Sequence, residues 1–264
     1  TFMDSSWYFL RYTDALNDDA CFEKPLADQW MNVDFYCGGI EHAQMHLIYA
    51  RFMTKALRDL GLTSVDEPFK ELLCQGMVNK SAPYCASCSV THTVDRAGSP
   101  CPHCNQPLTE RSAKMSKSTG NTVSPEAMIE LYGADTVRLF ILFAANPTAG
   151  MDWSVAALEA NHRVMLQLQA MPEQLSQWKG EASSMDAWLV TRFKKRVHEF
   201  TDAMETYDLR RAVELSHYEI IKDINWYVRR GGENPDVAAG ILPQWAQMIS
   251  ISTPSTVNAP TSLT

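Results

Sequence analysis

Two short cysteine pairs, Cys85-x-x-Cys88 and Cys101-x-x-Cys104, lie with twelve residues between them, and they limit what residues 80–112 can become. Around them Cys, Pro, Ser and Thr dominate and hydrophobic periodicity vanishes. With so little apolar content, this insertion needs another source of folding free energy, and a bound metal supplies one. Two CxxC turns at this distance suit four thiolates around one tetrahedral zinc ion. Two disulfides or four free thiols are the other readings of the same spacing. In a cytoplasmic protein the spacing favours structural Zn2+ on Cys85, Cys88, Cys101 and Cys104. His92 and His103 are spare ligands beside a complete set. Cys21, Cys37 and Cys74 stand among apolar neighbours and read as buried thiols.

On either side of the insertion the chain has a globular composition, 45% hydrophobic and 20% charged over 264 residues. No run approaches the roughly 20 apolar residues of a membrane span. The opening TFMDSSWYFLRY lacks the basic start and small-residue cleavage site of a signal peptide. The expectation is a cytoplasmic chain cut from something longer. A net charge of −8 argues against non-specific coating of nucleic acid, while leaving room for a local basic face.

Residues 1–78 alternate short apolar runs with helical stretches. VDFYCGG (33–39) reads as a buried strand ending in Gly38-Gly39. From Ala43 to Leu60, the residues Met45, Ile48, Tyr49, Phe52, Ala56 and Leu60 recur at helical steps and predict a helix with that stripe inward, stopped by Gly61. FKELLCQGMV (69–78) predicts a second apolar strand running into Gly76. Strands and helices in alternation, with glycine at the strand ends, point to an α/β sheet. Ser124-Pro125-Glu126 spells a helix start, ending at Gly133. A second helix follows, with Val137, Phe140 and Ile141 inward. From Ala156 the strand signals stop. Segments 156–172, 186–206, 208–230 and 236–250 have helical spacing, linked at Pro172, Gly180, Gly231-Gly232 and Pro235, and predict an α-helical bundle. The stretch 253–264 is polar and rich in small residues, which predicts disorder.

Lys114-Met115-Ser116-Lys117-Ser118, followed by Thr119-Gly120-Asn121, is the most specific short signal. Two lysines three apart on a Ser/Gly-rich loop suit a polyphosphate, because each is a flexible point charge that can follow phosphate oxygens. An exposed basic turn is the bland reading of any KxxK, but the full pentapeptide with Gly-Asn behind it is far rarer. KMSKS resembles the second signature of class I aminoacyl-tRNA synthetases. TFMDSSWYFLRY (1–12), GGIEHAQMHLIYARF (38–52), LLCQGMV (72–78) and YGADTVRLFILFAANP (132–147) narrow the resemblance to the leucyl-tRNA synthetase family.

The resemblance implies the C-terminal part of a Rossmann-like class I catalytic domain over 1–155, carrying the zinc insertion at 80–112, and then an anticodon-binding bundle over 156–252. It implies that leucine attacks the α-phosphate of ATP, with Mg2+, and that the leucyl group then passes to tRNA(Leu). Lys114 and Lys117 would be catalytic. Gly38, Gly39, Glu41, His42, Gln75, Gly76, Met77, Val78, Met115 and Ser116 would bind ATP. Phe2, Ser5, Tyr8, His42 and His46 would form the leucine pocket. Taken by themselves, the two histidines read as partly buried structural residues, and Ala43 rules out an HExxH zinc motif. Trp188, Phe193, Val197 and Phe200 read as one buried stripe. Arg192, Lys194, Lys195, Arg196, Arg210-Arg211 and Arg229-Arg230 are candidates for RNA phosphate, although a solvated helix face is the default.

Departures from the family accompany this reading. The first signature, His-x-Gly-His, is missing, so the chain alone is expected to be inactive, and the partner it calls for is a second chain supplying the N-terminal half. Thr119 stands where many relatives have a third lysine. Half an α/β sheet would expose an apolar edge and face, which predicts self-association. The alternative to a ligase fragment or subunit is a non-catalytic tRNA- or adenylate-binding module descended from one.

Overall fold

The computed structural model describes residues 2–257, which divide into two units, Thr1–Met77 with Pro147–Gly150 and Val78–Asn146 with Met151–Thr264. The first unit opens with two short helices, α1 (Phe2–Ser5) and α2 (Tyr8–Arg11), followed by α3 (Lys24–Trp30). Arg11 ties down the loop between them by donating to Ala15 O, Asn17 O, Ala20 O and Cys21 O. Strand β1 (Val33–Gly39) pairs in parallel with β2 (Phe69–Gln75), in register from Val33↔Phe69 to Gly39↔Gln75. A parallel pair needs a crossover. Helix α4 (His46–Asp59) supplies it, preceded by a 3-10 turn at Ile40–Gln44.

Helix α4 corrects the sequence reading. Its buried residues are His46, Ala50 and Thr54, whereas Met45, Ile48, Tyr49, Phe52 and Leu60 are exposed. The helix turns its small side chains inward, and the Thr54 hydroxyl donates to Ala50 O at 2.9 Å. Bulky residues on that face would hold the helix further out. Strand β1, expected to be buried, is at most half-buried, since β2 is its one partner among the described residues. Cys21 and Cys37 are exposed and Cys74 half-buried, against the expectation of buried thiols. The core of this unit is small: Phe9, Leu10, Phe22, Ala27 and Ala50. Gly76 is pinned by the 147–150 segment. Its amide donates to Pro147 O at 2.9 Å, and a Cβ there would collide with the Ala149 carbonyl.

The second unit starts with β3 (Val78–Cys85), so Val78 begins a new strand instead of ending β2. Strand β4 (Val90–Thr91) pairs with its end, and β5 (Thr109–Lys114) lies antiparallel along it from Asn79↔Lys114 to Tyr84↔Thr109. Helix α5 (Pro125–Tyr132) begins where expected: Ser124 Oγ accepts from the Ala127 amide, and Gly133 ends the helix with φ +82°. In α6 (Ala134–Ala144), Val137 and Phe140 are buried but Ile141 is exposed. Strand β6 (Met151–Asp152) pairs with the start of β3 and leads directly into the bundle. Ribbon and bundle therefore pack within one unit, across the change from mixed strands and helices to helices alone near residue 155.

The bundle comprises α7 (Val155–Ser176), α8 (Ser184–Glu205), α9 (Leu209–Val213), α10 (Ile220–Val228) and α11 (Pro235–Ser250). Helix α7 continues through Pro172, which was expected to be a connection. Ser183 and Asp186 form a reciprocal capping box at the start of α8. A π-helical segment, Glu214–Glu219, joins α9 to α10. One continuous core runs from Leu139 and Met165 through Phe193, Phe200 and Ile224 to Trp245. Phe193 and Phe200 lie within it, while Trp188 and Val197 pack at its margin. The tail expected to be disordered from 253 is partly ordered. Thr253 is buried and α12 (Pro254–Val257) follows, while 258–264 lie outside the described residues.

Candidate functional site

In the first unit a cleft of about 260 Å³ opens at the carboxyl ends of β1 and β2. α/β sheets favour ligands at this end. Gly38 and Gly39 floor it, Phe2, Ser5 and Tyr8 wall one side, and His42, His46 and Leu47 wall another. A Cβ on Gly38 would meet no atom within 4 Å, so its place is open space against bare backbone. A Cβ on Gly39 would run into the Glu41 carboxylate, which folds back over it. Phe2 stacks on Tyr49 at 6.0 Å. His42 sits in the 3-10 turn and His46 opens α4, so they do not share one helix, yet their rings meet edge-to-face at 6.3 Å.

The polar groups of the cleft mostly satisfy one another. Tyr8 Oη lies 2.7 Å from Tyr36 Oη, which lies 2.8 Å from His46 Nε2. Burial, then the neighbouring His42, lowers the His46 pKa, while burial and Tyr8 raise that of Tyr36. His42 Nδ1 is buried without a hydrogen-bond partner. Such an orphan nitrogen is costly unless a ligand completes it. Sequence reasoning missed Tyr36. The available signal was the two-residue period of a strand, which puts Tyr36 on the same face as Gly38. Gln75, Gly76, Met77 and Val78 do not line the cleft, and the close approach of Ala149 accounts for Gly76.

The lysine loop belongs to the second unit. Lys114 ends β5, and the Met115 amide donates to Val78 O at 3.1 Å. Asn121, fully buried, closes the loop. Its Oδ1 accepts from the Ser116 amide at 3.0 Å, and its Nδ2 donates to Lys80 O, Ala113 O and Lys114 O at 3.2–3.3 Å. The Ser116 hydroxyl donates to Thr119 Oγ1 at 2.8 Å and accepts from the Thr119 amide at 3.1 Å. Gly120 takes φ +73°, a left-handed turn suited to glycine. Lys114 and Lys117 are exposed on this fixed frame.

The four cysteines expected to hold metal converge. The sulfurs of Cys85, Cys88, Cys101 and Cys104 all lie within 4.8 Å of one another, with Cys85–Cys104 at 3.4 Å and Cys101–Cys88 at 3.9 Å. Four thiolates at about 2.3 Å from one ion stand roughly 3.8 Å apart, so the set fits a tetrahedral metal. Burial raises the Cys101 thiol pKa, but backbone N–H groups of His103 and Cys104 and neighbouring thiols outweigh it and bring it down to about 6. His92 Nε2 lies 3.6 Å from the Cys101 sulfur, but the group whose ligand atoms all lie within 4.8 Å of one another is the four cysteines.

The basic residues of the bundle are less available than their sequence suggests. Arg196 is buried and meets Asp223 at 3.0 Å, Glu219 at 2.8 Å and Glu199 at 3.2 Å. Arg192 also pairs with Asp223, and Arg211 with Glu214 and Glu199. Arg210 donates to Phe143 O, and Arg230 lies 3.6 Å over the Trp226 ring, which stacks on Trp188 at 3.9 Å. Lys194 and Lys195 are exposed.

Residues 108–154 match the family described as tRNA synthetases class I (I, L, M and V), and residues 186–258 match the anticodon-binding domain of tRNA ligase. A leucine–tRNA ligase of Crocosphaera subtropica is 42% identical over 227 residues, 85% of this chain and 25% of its own length. One from Fusobacterium nucleatum is 39% identical over 92% of this chain and 30% of its own. The LeuRS of Agrobacterium radiobacter, solved as a ternary complex with tRNA and LeuAMS, superposes over 97% of this chain and 30% of its own with a TM-score of 0.73 and 28% identity. A Mycobacterium tuberculosis methionyl-tRNA synthetase bound by methionyl-adenylate, 17% identical with a TM-score of 0.65, shares the fold. The chain thus spans between a quarter and a third of the length of these curated leucine–tRNA ligases.

Proposed function

We propose, for a chain that belongs to the leucine–tRNA ligase branch of the class I tRNA synthetases, that it contributes the leucine pocket, the lysine phosphate grip and the start of the tRNA-binding bundle of a leucine–tRNA ligase. The observation that carries this is the convergence of Phe2, Ser5, Tyr8, His42 and His46 on one cleft floored by Gly38. At about 260 Å³ the cleft has room for an isobutyl side chain, and the orphan His42 nitrogen offers a polar contact.

The reaction asks for no enzyme nucleophile. The leucine carboxylate attacks the α-phosphorus of ATP, pyrophosphate departs, and the leucyl group then moves from the adenylate to a ribose hydroxyl at the tRNA 3′ end. Catalysis is positioning and charge stabilisation. Lys114 and Lys117 hold the phosphates as charge builds on the leaving group, with Mg2+ as the divalent partner of ATP. Met115 and Ser116 line the adenine side, and Gly38, Gly39, Glu41 and His42 meet the ribose and phosphates. The four cysteines hold Zn2+, which stabilises the insertion and takes no part in the chemistry. A cytoplasmic location fits, and no described helix is long and apolar enough to cross a membrane.

Leucine-dependent ATP–pyrophosphate exchange tests this, with the chain alone and mixed with a chain supplying a His-x-Gly-His half. Exchange in either sample, lost in Lys117→Ala, supports the ligase. Absence of exchange in both, with tRNA binding retained, replaces it with a non-catalytic binding module.

A further inference from the structure

Beside the four cysteines stands a ring nitrogen that the cysteine set itself does not include. His92 follows β4, and its backbone amide donates to Pro83 O at 2.8 Å, on the strand that ends in Cys85. Its ring faces that of His103, with centroids 5.9 Å apart and planes 33° apart. These contacts place the half-buried His92 so that its Nε2 reaches the Cys101 sulfur at 3.6 Å, a separation suited to an N–H···S hydrogen bond. Cys101 is only 2% exposed, whereas Cys88 and Cys104 are half-buried. Four thiolates around one divalent ion leave an excess of negative charge. Charge held away from water is costly unless hydrogen-bond donors surround it, so a deeply buried sulfur has the greatest need of one. Backbone N–H groups of His103 and Cys104 supply part of that need at Cys101.

We propose that His92 is a positioning residue for the metal, acting through Cys101: its Nε2–H donates to the Cys101 sulfur and does not itself ligate the ion. The neutral Nε2–H tautomer and the imidazolium both carry this proton, so the role holds in either charge state. The bond favours the thiolate over the thiol, because a donor interacts more strongly with a charged acceptor. It also fixes the direction of the sulfur and draws off some of the excess charge. Ligation by His92 would have to displace a cysteine, since the four sulfurs already lie within 4.8 Å of one another and complete a tetrahedral set. Partners of this kind change metal affinity by roughly 10- to 100-fold when removed. The inference rests on reading Cys85, Cys88, Cys101 and Cys104 as a zinc site.

Competition between the full chain and a chromophoric chelator for Zn2+ measures the affinity directly and needs no catalytic activity. His92→Ala should weaken zinc binding roughly 10- to 100-fold while the chain still takes up the same number of ions. His92→Gln, whose side-chain amide donates at a similar reach, should recover most of that loss. Equal affinity in the wild type and His92→Ala would overturn the proposal. Failure of His92→Gln to recover would overturn it too, since the ring's packing and not its N–H would then be what matters. Co2+ in place of zinc reports the ligand set without relying on how the alanine variant folds. The wild type should give the absorption bands of a four-thiolate site, and His92→Gln should leave them in place. Bands of a mixed nitrogen–sulfur site in the wild type would make His92 a ligand and overturn its assignment as a donor to sulfur. A wild-type chain that takes up no zinc would instead overturn the zinc reading, and the role of His92 with it.

Discussion

Replacing Asn121 by alanine would leave a backbone amide and three carbonyls short of a partner at a fully buried position. The expected loss is about 2 kcal/mol or more in urea unfolding, from unsatisfied groups alone. Lys117→Ala, by contrast, touches an exposed side chain and should leave stability unchanged while cutting pyrophosphate exchange about 10²-fold, the scale of one lost charge stabiliser. Equal effects of the two substitutions on stability would contradict this division of labour between frame and grip. The lysines were legible because the pentapeptide is specific. Asn121 was not, because one of the carbonyls it holds, Lys80 O, lies 41 residues away. The same reason hid the pairing of Arg196. Its acids Glu219 and Asp223 sit on the π-helical segment and α10, and a one-dimensional reading saw only a basic run on α8.

Among the elements, the ribbon of β3, β4 and β5 depends on its cysteines more than on its core, since Ala82, Cys85 and Cys101 are the hydrophobic residues fully buried in it. Chelation of metal at neutral pH should therefore unfold residues 80–112 and leave the bundle's far-UV circular dichroism intact. Retention of the 80–112 amide NMR signals under chelator would show that the fold does not need the ion. The spacing of the two CxxC turns made this element readable, because it encodes geometry directly. Helix α4 was readable only as a helix. Its period was right, but the inward face was set by how closely the helix approaches the sheet, and periodicity carries no such information. The π-helical segment gave no sequence signal. In it, His217 is buried between Ser216 Oγ at 2.8 Å, Thr253 Oγ1 at 3.2 Å and Ser252 Oγ at 3.3 Å. Burial lowers its pKa to about 3 from 6.5. Below pH 6.5 the unfolded chain binds a proton that the folded chain refuses, so bundle stability should fall as pH drops from 6.5 toward 3. Asp186 adds to the fall at lower pH. Its hydrogen bond from Tyr227 outweighs burial and, with Asn234 and Ser183, holds its pKa at about 2, so its stabilisation is present above about pH 4 and is lost as pH falls through 2. Thermal unfolding of His217→Gln across pH 4–7 should be flatter than that of the wild type. A parallel pH dependence would remove His217 from the account.

At the scale of the molecule, the order of elements was legible and the packing of the ribbon with the bundle was not. The shift from alternating strands and helices to helices alone marks residue 155 in the sequence. In the structure, β6 carries the chain from α6 into the bundle while pairing with β3, so ribbon and bundle share one unit. The two units differ in what holds them. The first has a core of five buried apolar residues among those described, beneath a two-stranded parallel sheet, and leaves Ile48, Phe52, Trp30 and Leu72 exposed. The second has a continuous core from Leu139 to Ile249. Local opening costs least where little apolar surface is buried and backbone hydrogen bonds lie near solvent. Native-state hydrogen exchange should therefore find β1 and β2 amides opening well before those of α8 and α10, through a local step insensitive to the unfolding of the bundle. The exposed apolar face of the first unit should also make its exchange slow down with rising protein concentration, as self-association covers it. Uniformly slow exchange across both units, independent of concentration, would mean that the chain opens as one cooperative body and that its apolar face stays unpartnered in solution.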